Sequence, residues 1–156
     1  MKRGIVGLAL TGLLAATALG GTAHAVESHK AARSVSVYLT NDTDCDWTLT
    51  GQGIPHGEWT VHPPSKILKN TKNNHMRTES NGIGTGTEAW VTYKAYNCKT
   101  RTAEGKQIAF HWDNPFSGTN SYHFNGTDRV FGTNYTGGGG DNAVVYPKVW
   151  IQPTHH

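Results

Sequence analysis

The chain has 156 residues, with 14 lysines and arginines, 11 aspartates and glutamates, 19 glycines and a formal charge of +3. Lys2 and Arg3 belong to an N-terminal leader, so the remainder is close to neutral, which removes the electrostatic case for binding nucleic acid or a strongly anionic membrane. The glycine load argues for many turns and against a helical domain.

In chain order, Lys2-Arg3 precede an apolar run from Ile5 to Leu19, closed by Ala23-His24-Ala25. This reads as a secretory signal over 1–25, cleaved after Ala25, and its run is too short for a stable membrane span. Residues 26–156 are then one exported domain. A polar lead-in through Arg33 gives way to a strand over Ser34 to Thr40, with Val35, Val37 and Leu39 inward. Asn41 to Asp44 is turn chemistry. Cys45 to Thr50 alternates again, with Cys45, Trp47 and Leu49 on one face. Gly51 to Gly57 reads as a loop, and Glu58 to Val61 as a short strand stopped by Pro63-Pro64. Lys66 to Leu68 is a brief strand. Asn70 to Asn74 is turn-like, His75 to Ser80 is extended, and Asn81 to Gly86 is a glycine turn.

Thr87 to Tyr96 is the longest strand candidate. Ala89, Val91, Tyr93 and Ala95 oppose Trp90, Thr92, Lys94 and Tyr96, and the apolar groups on both faces suit a central strand. Lys106 to Trp112 is the next strand, with Ile108, Phe110 and Trp112 on one face. Asp113-Asn114-Pro115 breaks it, and a second alternating run passes through Tyr122 and Phe124. Arg129 to Thr136 follows, then the glycine run Gly137 to Gly140. Ala143 to Gln152 closes the fold, with Pro147 suggesting an edge position or a bulge. Short alternating runs between turns specify an all-β, single-domain antiparallel β-sandwich. Cys45 and Cys98, the only cysteines, read as one disulfide in an exported chain; the alternative is two free thiols.

The ordered motifs Gly57-Glu58-Trp59, Pro63-Pro64, Glu79-Ser80-Asn81-Gly82, Thr85-Gly86-Thr87-Glu88 and Trp112 to Asn120, with the late glycine run, resemble the aegerolysin family. The similarity is greatest to the small component of binary insecticidal crystal toxins, and covers roughly Val35 to Gln152. It implies a β-sandwich that binds membrane lipid, often sphingolipid or a sterol-containing mixture, and a second, larger protein wherever pores form. It also implies lipid-contacting aromatics and an acid near Trp59, Trp112, Asp113 and Phe116. Many relatives carry tryptophan at Phe116 and cysteine at Asn114. Lipid-sensing relatives carry a glutamate just before the glycine-threonine turn; here Asn81-Gly82 stand there and Glu79 is the nearest acid.

The residues make a physical case beside the resemblance. Amphipathic rings favour the headgroup boundary, and Trp59, Phe116 and Tyr122 are candidates for it. Asp113 could accept from a ceramide hydroxyl or pair with an ammonium headgroup. Each has a structural alternative: Phe116 folded back over the sandwich end, Trp112 continuing the core face of Ile108 and Phe110, Asp113 capping its own turn. No strand or helix is spare for a membrane barrel, so docking without perforation is expected. An enzyme is not expected, because no Gly-x-Ser-x-Gly elbow or His-Glu-x-x-His appears and nothing marks a carboxylate pair. A metal shared by His111, Asp113 and His123 would need convergent geometry, and neither metal nor cofactor is expected. The competing class is a lectin-like carbohydrate-binding sandwich, for which loop Trp, Tyr, Asn and Asp would also serve.

Overall fold

The computed structural model describes residues 32–153. The expected signal peptide, most of the polar lead-in and the terminal histidines lie outside them. Two five-stranded sheets pack face to face. One runs β3 (Glu58–Val61), β5 (Thr71–Glu79), β1 (Ser34–Asp42), β10 (Asn142–Ile151), β9 (Phe131–Gly137). The other runs β4 (Lys66–Ile67), β2 (Asp46–His56), β6 (Thr87–Tyr96), β7 (Gln107–Asn114), β8 (Ser121–His123). A 3-10 turn, Arg101–Ala103, interrupts the strands.

Period-two alternation builds the core. Val35, Val37 and Leu39 of β1, Val91 and Tyr93 of β6, Phe110 and Trp112 of β7, and Val145 and Val149 of β10 are essentially inaccessible to water. Each large side chain so buried contributes about 1.5–3 kcal/mol. A polar link crosses between the layers, where Trp112 Nε1 donates to Thr78 Oγ1 at 3.0 Å. The chain is not wholly antiparallel, since β1 and β10 pair in parallel.

Four local expectations need correction. Asp113 and Asn114 do not break the strand: β7 runs through Asn114, and Asp113 is a ladder residue between Glu88 and Ser121 rather than a turn cap. The stretch from Gly51 to Gly57 is not a loop: β2 continues to His56, bulging against β6 between Leu49 and Gly51 and again after Gly53. The glycines are used there to seat a ring, because a Cβ on Gly53 would overlap the Trp90 indole at Nε1. Asn70 to Asn74 is not a turn throughout: β5 begins at Thr71, and Asn70 and Asn73 take up positive φ (54° and 58°), which asparagine tolerates. Pro147 is not on an edge, because β10 lies between β1 and β9. Its missing N–H is accommodated where pairing to β1 lapses, between Val37↔Val145 and Thr40↔Lys148.

Candidate functional site

The site is assembled at the end of the sandwich where β6 begins and β7 finishes, with Thr87 opposite Asn114. Two loops meet there. The β5–β6 loop carries Ile83, which is 100% exposed, and the β7–β8 loop carries Phe116, which is 48% exposed. Glycine makes the approach possible: a Cβ on Gly86 would sit 2.6 Å from the Asn114 carbonyl oxygen and 2.8 Å from Pro115 Cα. Gly84 faces Phe116 directly, its Cβ position lying 4.0 Å from Cε1 of the ring. The loop that bears Ile83 thus approaches the Phe116 ring through Gly84, while the Ile83 side chain itself stands free in water.

The Phe116 loop is held from behind by hydrogen bonds. Arg33 donates through Nε to the Pro115 carbonyl (3.0 Å) and through Nη2 to the Phe116 carbonyl (2.6 Å). Its guanidinium lies 5.2 Å from the Phe116 ring centre and pairs with Asp141 at 3.0 Å. Buried Asn114 donates to the carbonyls of Ser34 (3.1 Å) and Asp141 (3.0 Å), tying the end of β7 to the other sheet. Asn120 does the same for the glycine run, donating to the Gly138 and Gly140 carbonyls at 2.8 and 3.0 Å.

Beside the Phe116 loop lies a cleft of about 350 Å³, bounded by His56, Thr85, Glu88, Asp113 and Phe116. Glu88 and Asp113 are cross-strand partners on the outer face of the second sheet. Glu88 is flanked by His111 Nε2 at 2.9 Å and His56 Nε2 at 3.7 Å. Among the described residues Asp113 has no such direct partner, and its carboxyl is pushed above the usual aspartate range, first by burial and then by the charge on Glu88. Ionised Asp113 thus costs the folded state free energy. The penalty is absent while the group is protonated in both states, and grows as pH rises through the ordinary value of 3.8 and the raised folded value. Asp113→Asn should therefore raise the melting temperature at neutral pH and leave it unchanged near pH 3. Solvent screening keeps the gain below about 1 kcal/mol. Melting curves of both proteins across pH 3–8 check the sign.

The fold is that of RahU and Nakanori. The RahU protein, solved in complex with a TRIS molecule, superposes with a TM-score of 0.61 at 12% identity, over 81% of this chain and 100% of that one. The lipid binding protein Nakanori superposes at 0.59 with 14% identity, over 77% of this chain and 72% of that one. No family model matches the sequence, and no curated protein matches it.

The six residues singled out in the sequence fall into different places. Asp113 and Phe116 line the same cleft. Trp112 is wholly buried, so the core alternative describes it and its ring is not offered to a surface. Tyr122 is likewise core, 6% exposed, its hydroxyl donating to the Gly138 carbonyl at 2.8 Å. Trp59 is partly buried, set edge-on against Trp112 at 5.6 Å. Glu79 is engaged by Arg77 at 2.6 Å. The histidine–aspartate metal idea has no geometry behind it. Among the described residues the group close enough to share an ion is Asp44, Cys45 and Cys98, and both sulfurs are consumed in a disulfide.

Sequence reasoning passed over Ile83, Arg33 and Glu88. Ile83 left a signal, since an isolated large aliphatic flanked by Gly82 and Gly84 has no strand face to bury itself on. Arg33 left none, because its partners lie more than 80 residues away. Glu88 entered the sequence reading only as the last residue of the Thr85-Gly86-Thr87-Glu88 motif, with no role of its own.

Proposed function

We propose that the chain is a secreted, membrane-lipid-binding protein of the aegerolysin type that docks on sphingolipid- or sterol-containing bilayers through the Ile83–Phe116 end. The observation carrying this reading is the display of two exposed apolar side chains, Ile83 and Phe116, on neighbouring loops at one end of the sandwich, beside a cleft whose Asp113 carboxylate has no direct ion-pair partner among the described residues. A soluble domain gains nothing by holding Ile83 fully in water, whereas both side chains can settle below the headgroups of a bilayer. In that position Asp113 sits at headgroup depth, able to accept from a ceramide hydroxyl or to face a quaternary ammonium. A carboxylate retained where it costs stability is a common mark of a binding role. The shared fold with a lipid binding protein and the ordered sequence motifs support the same reading. The Cys45–Cys98 disulfide supports export to an oxidising compartment.

No helix among the described residues is long and apolar enough to cross a membrane, and the strands are already paired within the two sheets. The family resemblance supports a docking role in a two-component pore-forming toxin, the barrel coming from a larger partner, and the pairing of the described strands within the two sheets agrees with it. The test uses vesicles of sphingomyelin and cholesterol loaded with dye. The protein should co-sediment with them, bind less to phosphatidylcholine alone, and leave the dye inside. Absence from every lipid pellet would remove the reading, and dye release by this protein alone would remove the docking-only role.

A further inference from the structure

The outer face of the first sheet carries a second, separate feature. An open cleft of about 640 Å³ lies over β1, β10 and β9, lined by Asp42, Asn134, Tyr135, Tyr146, Lys148 and Trp150 among others. Its floor is built around aromatic rings. Trp150 faces Gly132 in the β9–β10 register, and a Cβ on Gly132 would overlap the indole at Cε2. The strand gives up a side chain at that point, so that the indole lies flat on backbone with its other face turned outward. A strand-interior glycine weakens a sheet, and here it marks the seat of a platform. Tyr146, 48% exposed, is stacked on Tyr38 at 5.6 Å, and Tyr38 on His75 at 4.6 Å. The rings are therefore ordered before any ligand arrives, which reduces the entropic cost of binding.

The polar lining selects the ligand class. Asp42 and Lys148 form an ion pair at 2.7 Å, so the cleft offers donors and acceptors of both kinds with no net charge. Asn134 adds an amide that both donates and accepts. Flat aromatic faces bordered by a neutralised, bidirectional hydrogen-bonding rim suit a ring with one apolar face and equatorial hydroxyls. We propose that this cleft is a binding site for a neutral oligosaccharide, with Trp150 and Tyr146, about 13 Å apart along β10, stacking on different sugar units and Asp42, Lys148 and Asn134 meeting their hydroxyls. An anionic headgroup would find the ammonium already paired. A quaternary ammonium would find the carboxylate paired and a cleft far larger than it needs.

Position separates this site from the lipid-docking end. Asn142 lies at the Phe116 end through the Asp141 contacts, and Trp150 stands eight residues further along β10, ~25 Å away. The cleft would remain in water on a docked molecule, so the inference does not rest on lipid binding, and a tethered glycan rather than the bilayer's own lipid is its expected source.

The experiment is a glycan array probed with the full exported chain, followed by tryptophan-fluorescence titration of the array hits as free oligosaccharides. Binding to neutral glycans should appear and fall about tenfold or more in Tyr146→Ala and in Trp150→Ala. Phe116→Ala should leave it unchanged. Tyr146 is half exposed, so its variant remains informative should the Trp150 variant fold poorly. A blank array, glycan binding that survives Tyr146→Ala, or fluorescence changes caused by phosphocholine and not by sugars would each overturn the proposal. Sedimentation of the same two variants with glycan-free vesicles should match the parent, which keeps the lipid reading and this one separately testable.

Discussion

Replacing Ile83 and Phe116 together by alanine should lower partitioning into sphingomyelin–cholesterol vesicles by two orders of magnitude or more, with the melting temperature lowered by only a few degrees. The size follows from transfer: burying an isoleucine or phenylalanine side chain is worth about 1.5–3 kcal/mol. Two such side chains, discounted for the half of Phe116 already covered, give roughly 3–4 kcal/mol, or a factor of about 10²–10³ in affinity. The folded state loses little by comparison. Ile83 touches almost nothing, being 100% exposed. Phe116 loses its cation–π contact with Arg33, worth about 1 kcal/mol or less at an exposed site, and the burial of the covered half of its ring, worth about 1 kcal/mol. The hydrogen bonds from Arg33 run to backbone carbonyls and survive the substitution. Vesicle sedimentation and thermal melting on the same preparations check both halves. Undiminished binding would place the membrane contact elsewhere, and a fall of many degrees in melting temperature would make the rings structural.

The fold was legible because alternation of apolar residues survives any tertiary arrangement of the strands. β3, β6 and β10 were found nearly to the residue on that signal alone. It failed where backbone chemistry masked it. Gly51 and Gly53 read as loop residues, yet they are small so that Trp90 can lie across them. Pro147 read as an edge marker, yet its partner strand simply omits the bond it cannot make. The parallel pairing of the first and last strands lay beyond local sequence, because nothing in either strand encodes which neighbour it will find. The site was half legible for a related reason. Asp113 and Phe116 stood out beside turn chemistry at the end of an aromatic strand, although β7 runs on through Asp113 to Asn114 and only Phe116 is in the loop. Trp112 stood out equally, and only three-dimensional packing, with its indole donating to Thr78 across the layers, separates it from them. Ile83 and Arg33 acquire meaning through contacts spanning the chain, which composition and spacing do not carry.

Removing the Cys45–Cys98 bridge should lower stability by several kcal/mol and leave docking intact. The cysteines are 53 residues apart in sequence, and for a loop of that length the chain-entropy argument gives about 4 kcal/mol. For a domain of this size that corresponds to a fall in melting temperature of roughly 10–20 °C. The native state limits the loss, because both ends of the bridge are held independently. β2 and β6 are already paired beside it, Asp46 against Tyr96. Asp44 accepts from the Thr100 backbone at 3.0 Å and from its hydroxyl at 2.7 Å, and Asp46 accepts from Asn97 at 3.1 Å. Those bonds restrain the native geometry but not the unfolded chain, so the bridge's entropic share should still be lost in a Cys45→Ser/Cys98→Ser protein. The bridge joins the end of β6 opposite the Ile83 and Phe116 loops. The double-serine protein, assayed well below its lowered melting point, should therefore sediment with vesicles as the parent does. Calorimetry with and without reductant measures the first effect, and sedimentation the second. An unchanged melting temperature would mean the sulfurs are not joined in the folded protein. Loss of lipid binding in a folded double-serine protein would mean that the two ends of the sandwich are coupled, against the separation of stability and docking derived above.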